Sequence, residues 1–159
     1  MGLFGTKKVA EKETTVKDCV RMIEGFFRKV KLNPNEYRLP DRDTLGWFLQ
    51  RGSARIYILL NQQGETKTVQ IISPILYLPE DHILPFYRRC LEMNMHLINC
   101  AFAASDDKIV LVSERPLEGL DQQELEGMIQ YLSAVADDID DKLGNEFKAQ
   151  LYIKGLEGA

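Results

Sequence analysis

The sequence predicts an α+β domain of order α-βββ-α-ββ-α, with one five-stranded antiparallel sheet packed with helices. Three observations predict it. Apolar residues recur at helical spacing in three places, near the start, the middle and the end of the chain. Runs rich in β-branched and aromatic residues fill the gaps, three in the first and two in the second. Within each group the runs are joined by short turns, and parallel pairs need long crossovers, so neighbouring strands pair antiparallel.

The first helix begins near Thr15, with Thr14 or Thr15 as N-cap. Val16, Cys19, Val20, Ile23, Phe26, Phe27 and Val30 form its apolar stripe, and Asn33-Pro34-Asn35 ends it. Residues 44–51 alternate weakly through Leu45, Trp47 and Leu49, and Gly52-Ser53 makes a turn. Residues 54–62 are dense in Ile56, Tyr57, Ile58, Leu59 and Leu60, which suits a central strand with both faces at least partly covered. A hairpin turn around Gly64 leads into an alternating strand over residues 66–75, closed by Pro74 and Pro79.

Residues 80–95 read as the second helix, with Pro85 tolerable only in its first turn. Leu84, Tyr87, Leu91 and Met95 lie on one side, with Ile83, Phe86, Cys90 and Met93 beside them. The apolar arc spans about 200°, twice the usual core-facing stripe. Arg88, Arg89 and Glu92 make the polar face. One sheet does not cover so wide a surface, so a second apolar partner is implied, from this chain or another subunit. Two strands follow, over residues 97–104 and 108–114, joined at Ser105-Asp106-Asp107. The last helix starts at Asp121, with Glu124 placed to complete a capping box, and carries Leu125, Met128, Ile129, Leu132, Val135, Ala136, Ile139 and Leu143. Gly144-Asn145 is the expected stop, and residues 147–153 a further short helical turn.

The chain has 159 residues, the size of one domain, with residues 1–13 expected as a flexible N-terminal tail, 14–153 as the domain and 154–159 as a C-terminal tail. Twenty Lys and Arg against 24 Asp and Glu leave no basic excess to neutralise phosphates, so nucleic acid is a poor partner. No apolar run approaches the roughly 20 residues of a membrane span. Cys19, Cys90 and Cys100 are odd in number and widely spaced, which suits small core residues in a reducing compartment rather than disulfides or zinc. No secretory leader pattern is present, so the cytoplasm is the expected setting. The opening Met1-Gly2-Leu3-Phe4-Gly5-Thr6 fits the formal myristoylation pattern, but a mobile tail is the plainer reading.

Signs of catalysis are absent. The two histidines, His82 and His96, sit beside helix ends, and a thiol dyad of His96 with Cys90 or Cys100 rests on sequence proximity alone. No phosphate-binding glycine loop, nucleophile elbow or zinc motif occurs. Asp137, Asp138, Asp140 and Asp141 lack the spacing of a calcium loop and are expected to fan across a solvated helix face. Arg51, Arg55 and Lys67 beside Trp47 and Tyr57 suggest a basic aromatic sheet face, though three cations make thin evidence for nucleic acid. No cofactor or metal is expected.

The C-terminal half resembles a known family. Leu91-Glu92-Met93-Asn94, the run from Leu97 to Phe102, Asp107-Lys108-Ile109-Val110-Leu111, Arg115-Pro116-Leu117, Gly119-Leu120 and Glu124-Leu125 carry the resemblance, with Ala136-Asp137 and Asp141 in the last helix. They resemble the YbjN-like domain family, which is similar in fold to the CesT/Tir-type chaperones of type III secretion. Gly52-Ser53-Ala54 and Ser73-Pro74-Ile75 resemble its short cyanobacterial members. The resemblance spans roughly residues 15–143 and implies a non-enzymatic, protein-binding domain of chaperone, adaptor or regulator type. It also implies a homodimer that captures extended segments by apolar pockets and strand addition.

The second helix is then the expected interface, through Ile83, Phe86, Arg89, Cys90 and Met93, with Trp47 as a further aromatic candidate. Phe86→Asp is expected to give a monomer. The expected partner is a protein client, with neither nucleic acid nor membrane. The alternative is an ion- or ligand-responsive regulator that uses the acidic face of the last helix.

Overall fold

A computed structural model describes residues 14–40 and 45–157. The tail over residues 1–13 with its Gly2 motif, and the start of the first strand at Thr44, lie outside the described residues. The elements are α1 (Val16–Lys29), β1 (Leu45–Arg51), β2 (Ala54–Gln63), β3 (Thr66–Tyr77), α2 (Ile83–Asn94), β4 (Ala101–Ser105), β5 (Lys108–Pro116), α3 (Gln122–Phe147) and α4 (Tyr152–Glu157). The strands form one antiparallel sheet in the order β1-β2-β3-β5-β4. The predicted α+β order is present, with α4 added. Residues 154–157, assigned to a tail from the sequence, belong to that helix.

Local chemistry explains the boundaries. Thr15 caps α1: its hydroxyl accepts the Asp18 N–H at 3.2 Å, while its own N–H donates to the Asp18 carboxylate at 3.0 Å. Thr14 instead donates its hydroxyl to the Leu120 carbonyl at 3.2 Å. Asp121 caps α3 by accepting the Glu124 N–H at 2.8 Å, but Glu124 does not close a box: its carboxylate pairs with Arg115 at the end of β5. Helix α3 runs through Gly144-Asn145 to Phe147 and stops where Lys148 turns left-handed. Gly144 is needed for closeness, since a Cβ there would stand 2.8 Å from the Leu151 side chain.

Helix α2 starts at Ile83, three residues later than predicted, after His82 in a left-handed conformation, and Pro85 lies in its first turn as the sequence requires. Strand β4 starts only at Ala101, because Asn99 is left-handed and breaks the extended run. Asn94 closes the helix side of this connection by accepting the Phe102 N–H at 2.7 Å. Strand β3 shifts register between Pro74 and Leu76, a bulge at the residue that lacks an N–H.

Alternation separates the two faces of the sheet. Trp47, Leu49, Ile56, Ile58, Val69, Ile71 and Leu111 point to one face and join Cys19, Ile23 and Phe27 of α1 and Leu125, Ile129 and Leu132 of α3 in the core. Helix α3 crosses the middle of this face, α1 packs beside it, and α2 lies against β4. Phe48, Tyr57, Leu59, Ile72 and Val112 point the other way and are not part of that core. Helix α4 reaches toward them through Tyr152, whose hydroxyl lies 3.2 Å from that of Tyr57, and the segment before β1 does so through Tyr37, whose ring centroid lies 5.6 Å from that of Phe48. The expectation that both faces of β2 are at least partly covered is met by helices on one side and, in part, by α4 and Tyr37 on the other.

Candidate protein-binding surfaces

Helix α2 explains its own wide apolar arc. Successive residues turn about 100°, so Leu84, Leu91 and Met95 fall within about 40° of one another, while Phe86, Cys90 and Met93 lie roughly opposite. Phe86 and Cys90 are buried, Phe86 edge-on to Phe147 with ring centroids 5.1 Å apart. Leu84, Leu91 and Met95 are 80%, 66% and 81% exposed, and Ile98 just beyond the helix is 64% exposed. The Arg88–Glu92 ion pair, at 2.9 Å, borders the stripe on its polar side.

This geometry reorders the interface predicted from the sequence. Phe86 and Cys90 serve the core, and Met93 is half-buried against it. Trp47 is fully buried beneath the helices. Phe86→Asp is therefore a test of folding rather than of assembly. Ile83 and Arg89 are at the surface, Arg89 in a 3.4 Å ion pair with Glu146 of α3. The outward stripe is instead Leu84, Leu91, Met95 and Ile98. Periodicity revealed a surplus of apolar residues, but which side faces the sheet is decided by contacts with β4 and the end of α3.

Burial disfavours the thiolate form of all three cysteines. Burial pushes Cys19 up to about 12 and Cys90 up to about 11, and it raises Cys100 as well. His82 and His96 are exposed, and no hydrogen bond joins His96 to a thiol among the described residues. No group of three or more His, Cys, Asp or Glu able to hold a metal occurs among the described residues. None of the described helices is long and apolar enough to cross a membrane.

The acidic run is not a uniformly solvated face. Asp137 accepts the Ser53 N–H at 3.0 Å and the Ser53 hydroxyl at 3.3 Å, so α3 clasps the β1–β2 turn. Gly52, at φ +54°, comes so close that a Cβ would stand 2.0 Å from the Asp137 carboxylate. Asp140 is 3% exposed, and burial raises its pKa above the ordinary aspartate value, opposed by the Ser53 hydroxyl and the Asp141 N–H. Asp138 pairs with Lys142 at 2.6 Å. This clasp joins residues 84 positions apart, for which the sequence has no local signal.

The basic aromatic face separates too. Arg51 lies on the helix side and donates to the Gln130 carbonyl at 3.4 Å, and Trp47 is buried on that same side. Arg55 and Tyr57 stand on the opposite face with Phe48, the Arg55 guanidinium 4.0 Å from the centre of the Phe48 ring.

The architecture matches solved structures at low identity. ExsC, in the crystal structure of the ExsC–ExsE complex, superimposes with a TM-score of 0.61 and 15% identity, over 80% of this chain and 94% of that one. YbjN from E. coli aligns at 10% identity and a TM-score of 0.48, over 83% of this chain and 95% of its own. No curated protein sequence matches the chain. A family model described as T3SS (YopN, CesT) and YbjN peptide-binding chaperone 1 matches residues 36–154, which take in the whole sheet, α2 and α3, and the chain belongs to that family.

Proposed function

We propose that the protein is a non-enzymatic, peptide-binding chaperone or adaptor that works as a homodimer in the cytoplasm, assembling through the outer side of α2. The observation that carries this reading is the stripe of Leu84, Leu91 and Met95, with Ile98 exposed just beyond it, on a helix whose other side already completes the core. Contiguous exposed apolar surface of this kind marks an interaction site. Family membership supports the peptide-binding part of the reading. The three free thiols fit a reducing compartment. The partner is a protein segment, and Ile83 and Arg89 stand at the rim of the stripe.

Sedimentation velocity of the wild type and of Leu91→Asp tests the assembly. A dimer that the substitution converts to a folded monomer supports the reading, and a mass unchanged by the substitution refutes it. Capture of the tagged protein from its own cells, with partners quantified, tests the client. One or two proteins at near-stoichiometric amounts support a chaperone or adaptor, and recovery of the protein alone counts against it.

A further inference from the structure

We infer that the sheet face opposite the helices is a docking site for an extended peptide segment that carries apolar side chains and one carboxylate, with Arg55 as the carboxylate's partner. The inference rests on the peptide-binding reading above and adds where the segment lies and what chemistry it has. An antiparallel sheet with helices on one side normally presents polar residues on the other. Here the outward positions of the central strands include Tyr57, Leu59, Ile72 and Val112, with Phe48 on β1. None of these belongs to the core; the same face carries Asn61, Thr68, Gln70 and Glu114 toward one end, and it is bordered by α4, through Tyr152 and through Gly155 against Tyr77, and by Tyr37, whose ring centroid lies 5.6 Å from that of Phe48.

Arg55 stands within this apolar surface. Its guanidinium lies over the Phe48 ring, its Nε is buried without a hydrogen-bond partner, and no carboxylate among the described residues forms an ion pair with it. It is near enough to Tyr152 to act on its phenol electrostatically, so the cation sits in an aromatic surround. A buried donor left unsatisfied is costly, and a planar guanidinium on an aromatic ring is preorganised to bind a carboxylate through two hydrogen bonds. One cation beside the apolar row of Phe48, Tyr57, Ile72 and Val112 fits one carboxylate on a hydrophobic segment, and the one carboxylate among the described residues of this face, Glu114, is engaged by Thr68 and Gln70 on the other side of that row. It does not fit the succession of phosphates on a nucleic acid, and Arg51, which would have extended the charge, lies on the other side of the sheet.

The test uses the full chain, isotopically labelled for NMR, and three synthetic pentapeptides with blocked ends. Each alternates leucine and valine around a central glutamate, glutamine or lysine. The expected result is that the glutamate peptide shifts the amides of residues 55–59 and 70–74 and binds about tenfold more tightly than the glutamine peptide, with the lysine peptide weakest. Arg55→Gln should abolish that ranking while leaving the spectrum dispersed, and the comparison of peptides on the wild type stands without the variant. Equal affinity for the three peptides overturns the inference, as do shifts confined to α2, or the same shifts produced by oligothymidine. Binding without charge preference would leave the peptide-binding reading intact and remove only this face. Absence of any shift at millimolar peptide also removes the face, and the wider reading then stands or falls on the α2 experiment.

Discussion

Leu91→Asp separates assembly from folding. Leu91 is 66% exposed and lies between Leu84 and Met95 on the outer side of α2. Full burial of a leucine is worth about 1.5–3 kcal/mol, so covering the two-thirds of it still in water contributes about 1–2 kcal/mol. In a twofold dimer the contribution counts once in each protomer. Aspartate forfeits it and also strips a charged group of water without a partner, at about 1–3 kcal/mol or more per copy. The combined loss is about 4 kcal/mol or more, roughly a thousandfold in the dimer dissociation constant. The fold itself should lose only about 0.5 kcal/mol, the difference in helix propensity at an exposed site. Sedimentation velocity should show the wild-type dimer become a monomer, with thermal unfolding almost unchanged. Phe86→Asp is the contrast: it places a charge in a fully buried site and should unfold the chain outright. A wild type that sediments as a monomer at high concentration would refute the reasoning. So would a Leu91→Asp variant that stays dimeric.

Other consequences follow from the clasp and the thiols. Because burial raises the Asp140 pKa in the fold, the native state holds this proton more tightly than the unfolded chain. The contribution of this group to stability is then greatest below the ordinary aspartate value of 3.8, falls as pH rises toward the folded value, and is level above it. Asp140→Asn should remove that slope and leave the protein at least as stable at neutral pH, which denaturant titrations across the acid range would measure. Gly52→Ala should destabilise by about 2 kcal/mol or more, from a left-handed backbone and collision with Asp137. Combined with Asp137→Ala, the total loss should be smaller than the sum of the two single losses, and strict additivity in a double-mutant cycle would count against the clasp. In the native protein Cys100 should react first with a thiol reagent, with Cys19 and Cys90 protected until unfolding. Mass spectrometry of labelled peptides reads the order, and early labelling of Cys19 would contradict its burial.

What was legible in the sequence was whatever depends on neighbours along the chain. Helical stripes placed α1, α2 and α3, alternation and short turns placed the five strands and made neighbours within each group antiparallel, and Thr15 and Asp121 marked two helix starts, whereas the β3–β5 pairing that joins the groups has no local signal. The width of the α2 arc announced a surface beyond what one sheet covers. Boundaries failed where a distant contact overrode the local signal. Glu124 was drawn from its box by Arg115, and Gly144, read as a helix stop, instead serves close packing with Leu151 inside α3. Which side of α2 faces outward was decided by Phe147 and β4, and the fate of Asp137 and Asp140 by the β1–β2 turn, 84 positions away in the sequence. Periodicity fixes the angles between side chains on one element, but not the rotation of that element about its axis. That rotation is chosen by the total burial of all elements together, so only the tertiary structure decides which apolar residues become core and which are left to meet a partner.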